Sequence, residues 1–297
     1  MSNCTAMSGG TVISGPAAHF NPGRLGSGIV LLVLFAGCNA LDFAPLVTAT
    51  KTISEVFQTD DAPIIVVETF NGPIDISPGK NDEVVVELTK SASGFDHSIA
   101  EDALDGVQVS MIQTGDTIHI TARRAGRWSG NAGAAVVIAA SPKAQLQLKS
   151  SNGHIICEGL QGGIQATTSN GKLEIVEGRG HLELASSNGG IEIEADDASV
   201  TAHTSNGRIK FQGSLAEGEH NFRTSNGSID LVLPADSQFA VDGSTSNARI
   251  DCDFPIAIEG KKRRTRLQGT IGENPKRTIS LVSSNGHIAI RKAPAED

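Results

Sequence analysis

Tyrosine is absent, tryptophan occurs once and phenylalanine ten times in 297 residues. The chain therefore has few of the aromatic platforms on which sugars and single-stranded nucleic acids usually stack. Positive charge is also scarce. The 24 Lys and Arg stand against 33 Asp and Glu, for a net charge of −9, which argues against a nucleic-acid partner. There is no Gly-x-Ser-x-Gly elbow, phosphate-binding glycine loop or His-Glu-x-x-His sequence, so the readiest signatures of hydrolase, nucleotide and zinc-peptidase chemistry are missing. The 33 glycines follow no three-residue period, which excludes collagen and fits a fold with many tight turns. With 39% hydrophobic and 19% charged residues, the chain has the composition of a folded protein with a sizeable core.

The one marked apolar run is short. Arg24, the only charged residue among the first 37, precedes an uncharged stretch from Leu25 to Gly37 whose apolar heart is Ile29 to Phe35. A spanning helix needs about 20 apolar residues, so this run reads as the h-region of a secretory signal. Phe35-Ala36-Gly37-Cys38 resembles a bacterial lipobox, with Phe35 where that motif usually has Leu. The resemblance implies a diacylglyceryl group on the Cys38 thiol, cleavage before it, and a membrane attachment through acyl chains. Asn39 after the cysteine implies, by the same resemblance, the outer membrane or cell surface. Residues 38–58 then read as a tether.

Self-similarity organises the rest. Ser-Asn-Gly occurs with its asparagine at Asn152, Asn170, Asn188, Asn206, Asn226 and Asn285, and Ser246-Asn247-Ala248 is a degenerate copy. The asparagines advance by 18, 18, 18, 20 and 21 residues and then by 38, the last step reading as two coils with one triplet lost. Each triplet opens an alternating run, such as Ile191 and Ile193 after Asn188. A second run follows about nine residues later, such as Leu182 and Leu184 or Val200 and Ala202. Period two means strand, so each coil carries two strands and two turns. The fold class is all-β, a flattened two-sheet β-solenoid of about 18 residues per coil, because a single coil cannot bury its apolar edge whereas stacked coils share a core. Its interior columns read Ile155, Leu173, Ile191, Ile209 and Ile229 on one side, and Ile164, Leu182, Val200 and Phe222 on the other. At the corners, Asn-Gly tolerates positive φ, and stacked asparagine amides bond from coil to coil.

The domain order is a signal peptide (1–37), the tether (38–58), an N-terminal β-region (59–145), the solenoid (146–292) and a short tail (293–297). The N-terminal region shows strand-like runs at Ile64–Phe70, Ile74–Ile76, Val84–Leu88, Val107–Ile112, Thr117–Thr121 and Ala135–Ala139, and a short helix at Ser98–Leu104. It reads as a cap, since an open solenoid end exposes unpaired strand edges. Phe70-Asn71-Gly72-Pro73-Ile74-Asp75-Ile76 echoes the repeat. Together with Leu267-Gln268-Gly269-Thr270-Ile271-Gly272, Ile279-Ser280-Leu281 and Ser284-Asn285-Gly286-His287-Ile288-Ala289-Ile290, the Asn-Gly-x-Ile pattern resembles the bacterial putative-adhesin family of repetitive β-domains over residues 60 to 292. The resemblance implies an extracytoplasmic β-solenoid without enzymatic activity, and the family's association with signalling proteins implies a role as an envelope-stress regulatory partner as a further alternative.

Candidate chemistry is thin. Glu174 and Glu192 share an outward column and are the nearest approach to an acid and base pair, which makes a glycan-active β-helix enzyme the alternative function. Lys172 and Lys210 beside them point instead to cross-strand charge pairing. No catalytic residue, metal site or cofactor is expected. Glu158, Glu177, Asp196 and Asp197 are too scattered for the six to eight oxygens calcium prefers, and His154, His181, His203, His220 and His287 lack zinc spacing and read as surface residues. Trp128 reads as a partly buried anchor. Cys157 and Cys252 fall five coils apart, roughly 24 Å at the strand spacing, so two separate buried thiols are expected rather than a disulfide. The cluster Lys261, Lys262, Arg263, Arg264 and Arg266 offers a dock for an anionic glycan, anionic lipid or acidic protein, or else blunts an exposed edge. The whole reads as a lipid-anchored binding or scaffolding module of the cell envelope.

Overall fold

Short runs in which every second residue is aliphatic bury one face and leave the other polar. Each such run of the repeat is a strand in the computed structural model, which describes residues 46–125, 131–258 and 264–294. The N-terminal part comprises β1 (Val47–Gln58), β2 (Ile64–Thr69), β3 (Ile74–Pro78), β4 (Glu83–Gly94), α1 (His97–Asp105), β5 (Val107–Thr114), β6 (Thr117–Arg124) and β7 (Asn131–Ala140). The regular coils follow as β8 (Gln145–Ser150), β9 (Ile155–Glu158), β10 (Ile164–Thr168), β11 (Leu173–Ser186), β12 (Ile191–Thr204), β13 (Ile209–Leu215), β14 (Gly218–Thr224) and β15 (Ile229–Leu233). The C-terminal part holds β16 (Phe239–Thr245), β17 (Ile250–Cys252), β18 (Ala257–Ile258), β19 (Arg266–Ile271), β20 (Arg277–Ser283) and β21 (Ile288–Lys292). Among the described residues no helix is long and apolar enough to cross a membrane. The segment 1–37, Cys38 and Trp128 lie outside the described residues.

The strands form the two faces of a flattened β-solenoid, stacked in parallel at the regular coils. Ile155, Leu173, Ile191, Ile209 and Ile229 are successive partners in one face, all fully buried, as their period-two placement requires. In the other face Ile164, Leu182 and Val200 stack, but Phe222 pairs with Ala202. The place beside Val200 goes to His220, which is fully buried, against the expectation of a surface histidine. This coil carries extra residues in its outer turn, and only counting back from the triplet gives the register. The parallel ladder stops at Thr201↔Asn221. Beyond it the His220 ring stands in for backbone: Nδ1 accepts the Val200 N–H at 3.3 Å and Nε2–H donates to the Ala216 carbonyl at 3.0 Å.

At both ends the spatial order departs from the chain order. The last coil in sequence, β20 with β21, pairs with β14 and β15 on one side and with β16 and β17 on the other. It is thus inserted between the Asn226 and Asn247 coils. The 38-residue step is therefore not two successive coils. It is an excursion in which β19 runs antiparallel to β16, and β18 antiparallel to β19, over the open end. The N-terminal end mirrors this arrangement, since β2 and β3 are inserted between β8–β9 and β6–β7. Antiparallel β5 then covers β6, β4 covers β7, and β1 covers β4. The segment expected as a tether is corrected here, because Val47–Gln58 pairs along its full length with β4, from Val47↔Gly94 to Gln58↔Glu83.

Helix α1 starts where Asp96 accepts the Ile99 N–H at 2.8 Å, a side-chain N-cap. It buries Ala100, Ala103 and Leu104. The buried Lys90 ammonium donates to the Leu104 and Val107 carbonyls at 3.2 and 2.9 Å, tying the helix end to β4. Cys157 and Cys252 are unlinked thiols, but only Cys157 is buried and Cys252 is half-buried. The inserted coil separates them by six ladder steps, roughly 29 Å at the strand spacing.

Candidate binding surfaces

The Ser-Asn-Gly corner carries three ladders. Outermost, the asparagines bond head to tail in the order Asn152, Asn170, Asn188, Asn206, Asn226, Asn285, Asn247, each Nδ2 donating to the Oδ1 before it at 2.6 to 2.8 Å. The exposed amides point the same way, and Asn170 and Asn206 Nδ2 also donate to the Ser151 and Ser187 carbonyls at 3.5 Å. Inside them the glycines stack with their backbones in contact. A Cβ on Gly153, Gly171, Gly189, Gly207, Gly227 or Gly286 would lie 1.6 to 1.9 Å from the glycine carbonyl oxygen of the neighbouring coil. Positive φ is not what selects glycine here, since none of these six residues adopts it. Close approach is.

A third ladder runs behind the triplet and is not visible from the triplet alone. Ser150, Thr168, Ser186, Thr204, Thr224 and Ser283 are buried. Each hydroxyl accepts the N–H of the glycine three residues on and donates to the glycine carbonyl of the next coil. Thr245 donates in the same way to Gly286. The signal lay one residue upstream, where every triplet is preceded by Ser or Thr.

The outward rows of the solenoid hold charges in mutual contact. Lys172 Nζ bridges Glu174 and Glu192 at 2.9 and 2.8 Å. The hydrogen bond from Lys172 holds the Glu192 carboxyl below its ordinary range and raises the lysine in turn. Asp230 is buried with Arg208 Nε at 2.8 Å and Arg291 Nη2 at 3.6 Å. Two further rows pair His154 with Asp75 at 3.4 Å and Arg249 with Asp251 at 3.0 Å. Burial raises the Asp75 carboxyl, and His154 opposes that rise. Burial likewise drives the Cys157 thiol far above the usual thiol range, so that side chain is an inert core residue and not a nucleophile.

A single family model, Toastrack DUF4097, matches residues 58–291. The chain belongs to the Toastrack family. Two solved structures are similar to this Toastrack chain. One, described as a putative cell adhesion protein from Clostridium sporogenes, matches 82% of this chain and 100% of its own at 9% identity, with a TM-score of 0.34. The other, a putative adhesin from Bacteroides fragilis, matches 82% here and 97% of its own at 14% identity, with a TM-score of 0.37. No curated protein matches.

Of the sites named from sequence, Cys38 and Lys261, Lys262 and Arg263 lie outside the described residues. Arg264 is exposed, and its carbonyl accepts the Ile250 N–H at 3.1 Å. Arg266, on β19, reaches Asp242 at 3.5 Å. Lys276 pairs with Glu217 at 2.7 Å, and Arg277 Nε donates to the Leu215 carbonyl at 2.6 Å. Among the described residues no group of three His, Cys, Asp or Glu side chains is placed to hold a metal. The Toastrack body also has a cleft that sequence reasoning missed. It measures about 460 Å³ where the outer turns before β14, β16 and β20 diverge, with Leu233, Phe239 and Ile279 as floor and Asp236, Gln238 and Asn274 at its mouth. It exists because the inserted coil brings together turns that are far apart in the chain.

Proposed function

We propose that this Toastrack protein is a non-catalytic, adhesin-like binding or scaffolding module of the bacterial cell envelope, held to the membrane by lipid on Cys38. The observation that carries the reading is the unbroken set of corner ladders. Seven coils joined by asparagine amides, buried hydroxyls and touching glycine backbones make a stiff body that presents fixed rows of polar groups, which suits presentation to a partner. The charge rows support the same reading. Glycoside cleavage needs one carboxyl kept protonated as acid, whereas Lys172 holds Glu192 ionised.

The signal-like run before Ala36-Gly37-Cys38 supports export and anchoring. The partner is an envelope glycan, an anionic lipid or an acidic protein, with the basic segment Lys261 to Arg264 and Arg266 as its contact. The test is to screen the purified protein against envelope glycans, anionic lipid vesicles and acidic proteins while following reducing-end release in the glycan wells. Retention without release is the expected result. Release of new reducing ends would replace this reading with a glycan-active enzyme, and retention of no glycan, lipid or acidic protein would remove the binding role.

A further inference from the structure

The two ends of the solenoid are finished differently. At the C-terminal end β17 is three residues long, and β19 runs antiparallel along β16 with β18 beside it. At the N-terminal end the outermost strand is the twelve-residue β1, which among the described residues pairs with β4 alone. Its far edge offers unpaired backbone N–H and carbonyl groups over some 40 Å at about 3.4 Å per residue, with no proline or bulge to blunt it. Large apolar side chains are exposed at this end too: Leu46 (64%), Val56 (50%), Phe95 (72%) and Ile112 (57%). Residues 145–294, where described, expose none.

From this edge we infer that β1 pairs antiparallel with β1 of a second copy of this chain, joining two solenoids end to end in a two-fold dimer centred on Ile53. The sequence of the strand is complementary to itself in that one register. Lys51 of each copy faces Glu55 of the other, Ile53 faces Ile53, and the small Ala49 faces the large Phe57. All five residues lie on the inward face, opposite Lys90, Val86, Leu88, Ala92 and Val84 of β4. The pairing therefore carries this face of the sheet across the axis. Facing residues share parity, so their free N–H and carbonyl groups point at one another, as antiparallel pairing requires. Lys51 and Glu55 are exposed and have no ion-pair partner among the described residues. Moving the register by two residues places Lys51 opposite Ile53 or Phe57 and loses both charge pairs.

Disulfide trapping of the full-length chain in intact cells tests the geometry. Facing Cα atoms in an antiparallel pair lie about 4.5 to 5.5 Å apart, within the span of a disulfide. Ile53→Cys therefore gives a reductant-sensitive dimer, while Thr50→Cys, which faces Val56, gives at least tenfold less. Placing Lys51→Glu or Glu55→Lys in the Ile53→Cys chain sets like charges face to face and cuts the trapped dimer severalfold. Co-producing these two variants under different C-terminal tags restores a mixed dimer, as does combining both changes in one chain. The rescue also shows that the single variants fold. Absence of an Ile53→Cys dimer overturns the proposal, whether the edge is instead met by residues 1–45 or by a lipid surface. Equal trapping at Thr50, or trapping indifferent to the charge changes, overturns it as well.

Discussion

Replacing Gly189 by alanine is the most direct test of the corner. The added Cβ would sit 1.6 Å from the Gly171 carbonyl oxygen and 2.4 Å from its carbon. Both are backbone atoms, held in mid-stack by coils on either side. A Cβ needs at least about 3.0 Å from its neighbours, so the two coils must part by about 1.4 Å. That motion breaks three hydrogen bonds between the two coils at this corner: Ser186 Oγ to the Gly171 carbonyl at 3.3 Å, Asn188 Nδ2 to Asn170 Oδ1 at 2.8 Å, and Asn188 N–H to the Ser169 carbonyl at 2.9 Å. At about 1 kcal/mol each, plus the cost of leaving buried groups unpaired, the loss is about 3–5 kcal/mol, a large share of a domain's stability. The next residue is the control. A Cβ on Gly190 meets only the Arg208 carbonyl at 3.3 Å, and the same place in other coils carries His154, Lys172, Arg208 or His287. Gly190→Ala should stay within about 0.5 kcal/mol of the parent. Urea unfolding of the purified protein followed by circular dichroism reads both. Losses for Gly189→Ala below about 1 kcal/mol, or equal losses for the two variants, would refute the close-approach argument.

Ile191 is fully buried and Glu192 points outward, so Ile191→Asp should unfold much of the solenoid through an unpaired buried carboxylate costing several kcal/mol, while Glu192→Ala costs under about 1 kcal/mol; melting curves of the pair check this. Burial lowers the His220 pKa, with the Ala216 hydrogen bond opposing and Arg277 adding to the effect. The unfolded chain therefore takes up that proton first as pH falls. The His220 contribution is full above about pH 6.5 and is lost progressively below it. Urea midpoints at pH 7.5 and 5.5 should converge more closely in His220→Leu than in the parent, and an unchanged difference would count against a neutral buried ring. Cys38→Ser should move the protein from the membrane to the soluble extracytoplasmic fraction and abolish fatty-acid labelling, and membrane retention of the variant would remove the lipid anchor.

The repeat makes the coil legible in the sequence alone. Alternation placed Ile155, Leu173, Ile191, Ile209 and Ile229 in one column, and the spacing of Asn152 to Asn226 set the coil length, because both depend only on local period and on chain length per turn. The asparagine ladder followed for the same reason. Some features were written in the sequence but read too narrowly. The Ser or Thr before each triplet is one, and the register of His220 is another, recoverable by counting back from Ser225 and not forward from Val200. Other features needed the folded chain. Nothing local states that β20 and β21 slip between coils that precede them, or that β2 and β3 do the same at the other end, since insertion depends on which edges remain open once the middle coils have stacked. For that reason the 38-residue step looked like two coils, Val47–Gln58 looked like a tether, and the cleft between the divergent turns had no linear signature. The sequence by itself determined the strand period, the coil and the residues that touch from coil to coil, because those contacts repeat along the chain. Only the tertiary structure decided the order of the terminal coils and the open β1 edge, because closing a solenoid is a competition among distant strands for the same hydrogen bonds.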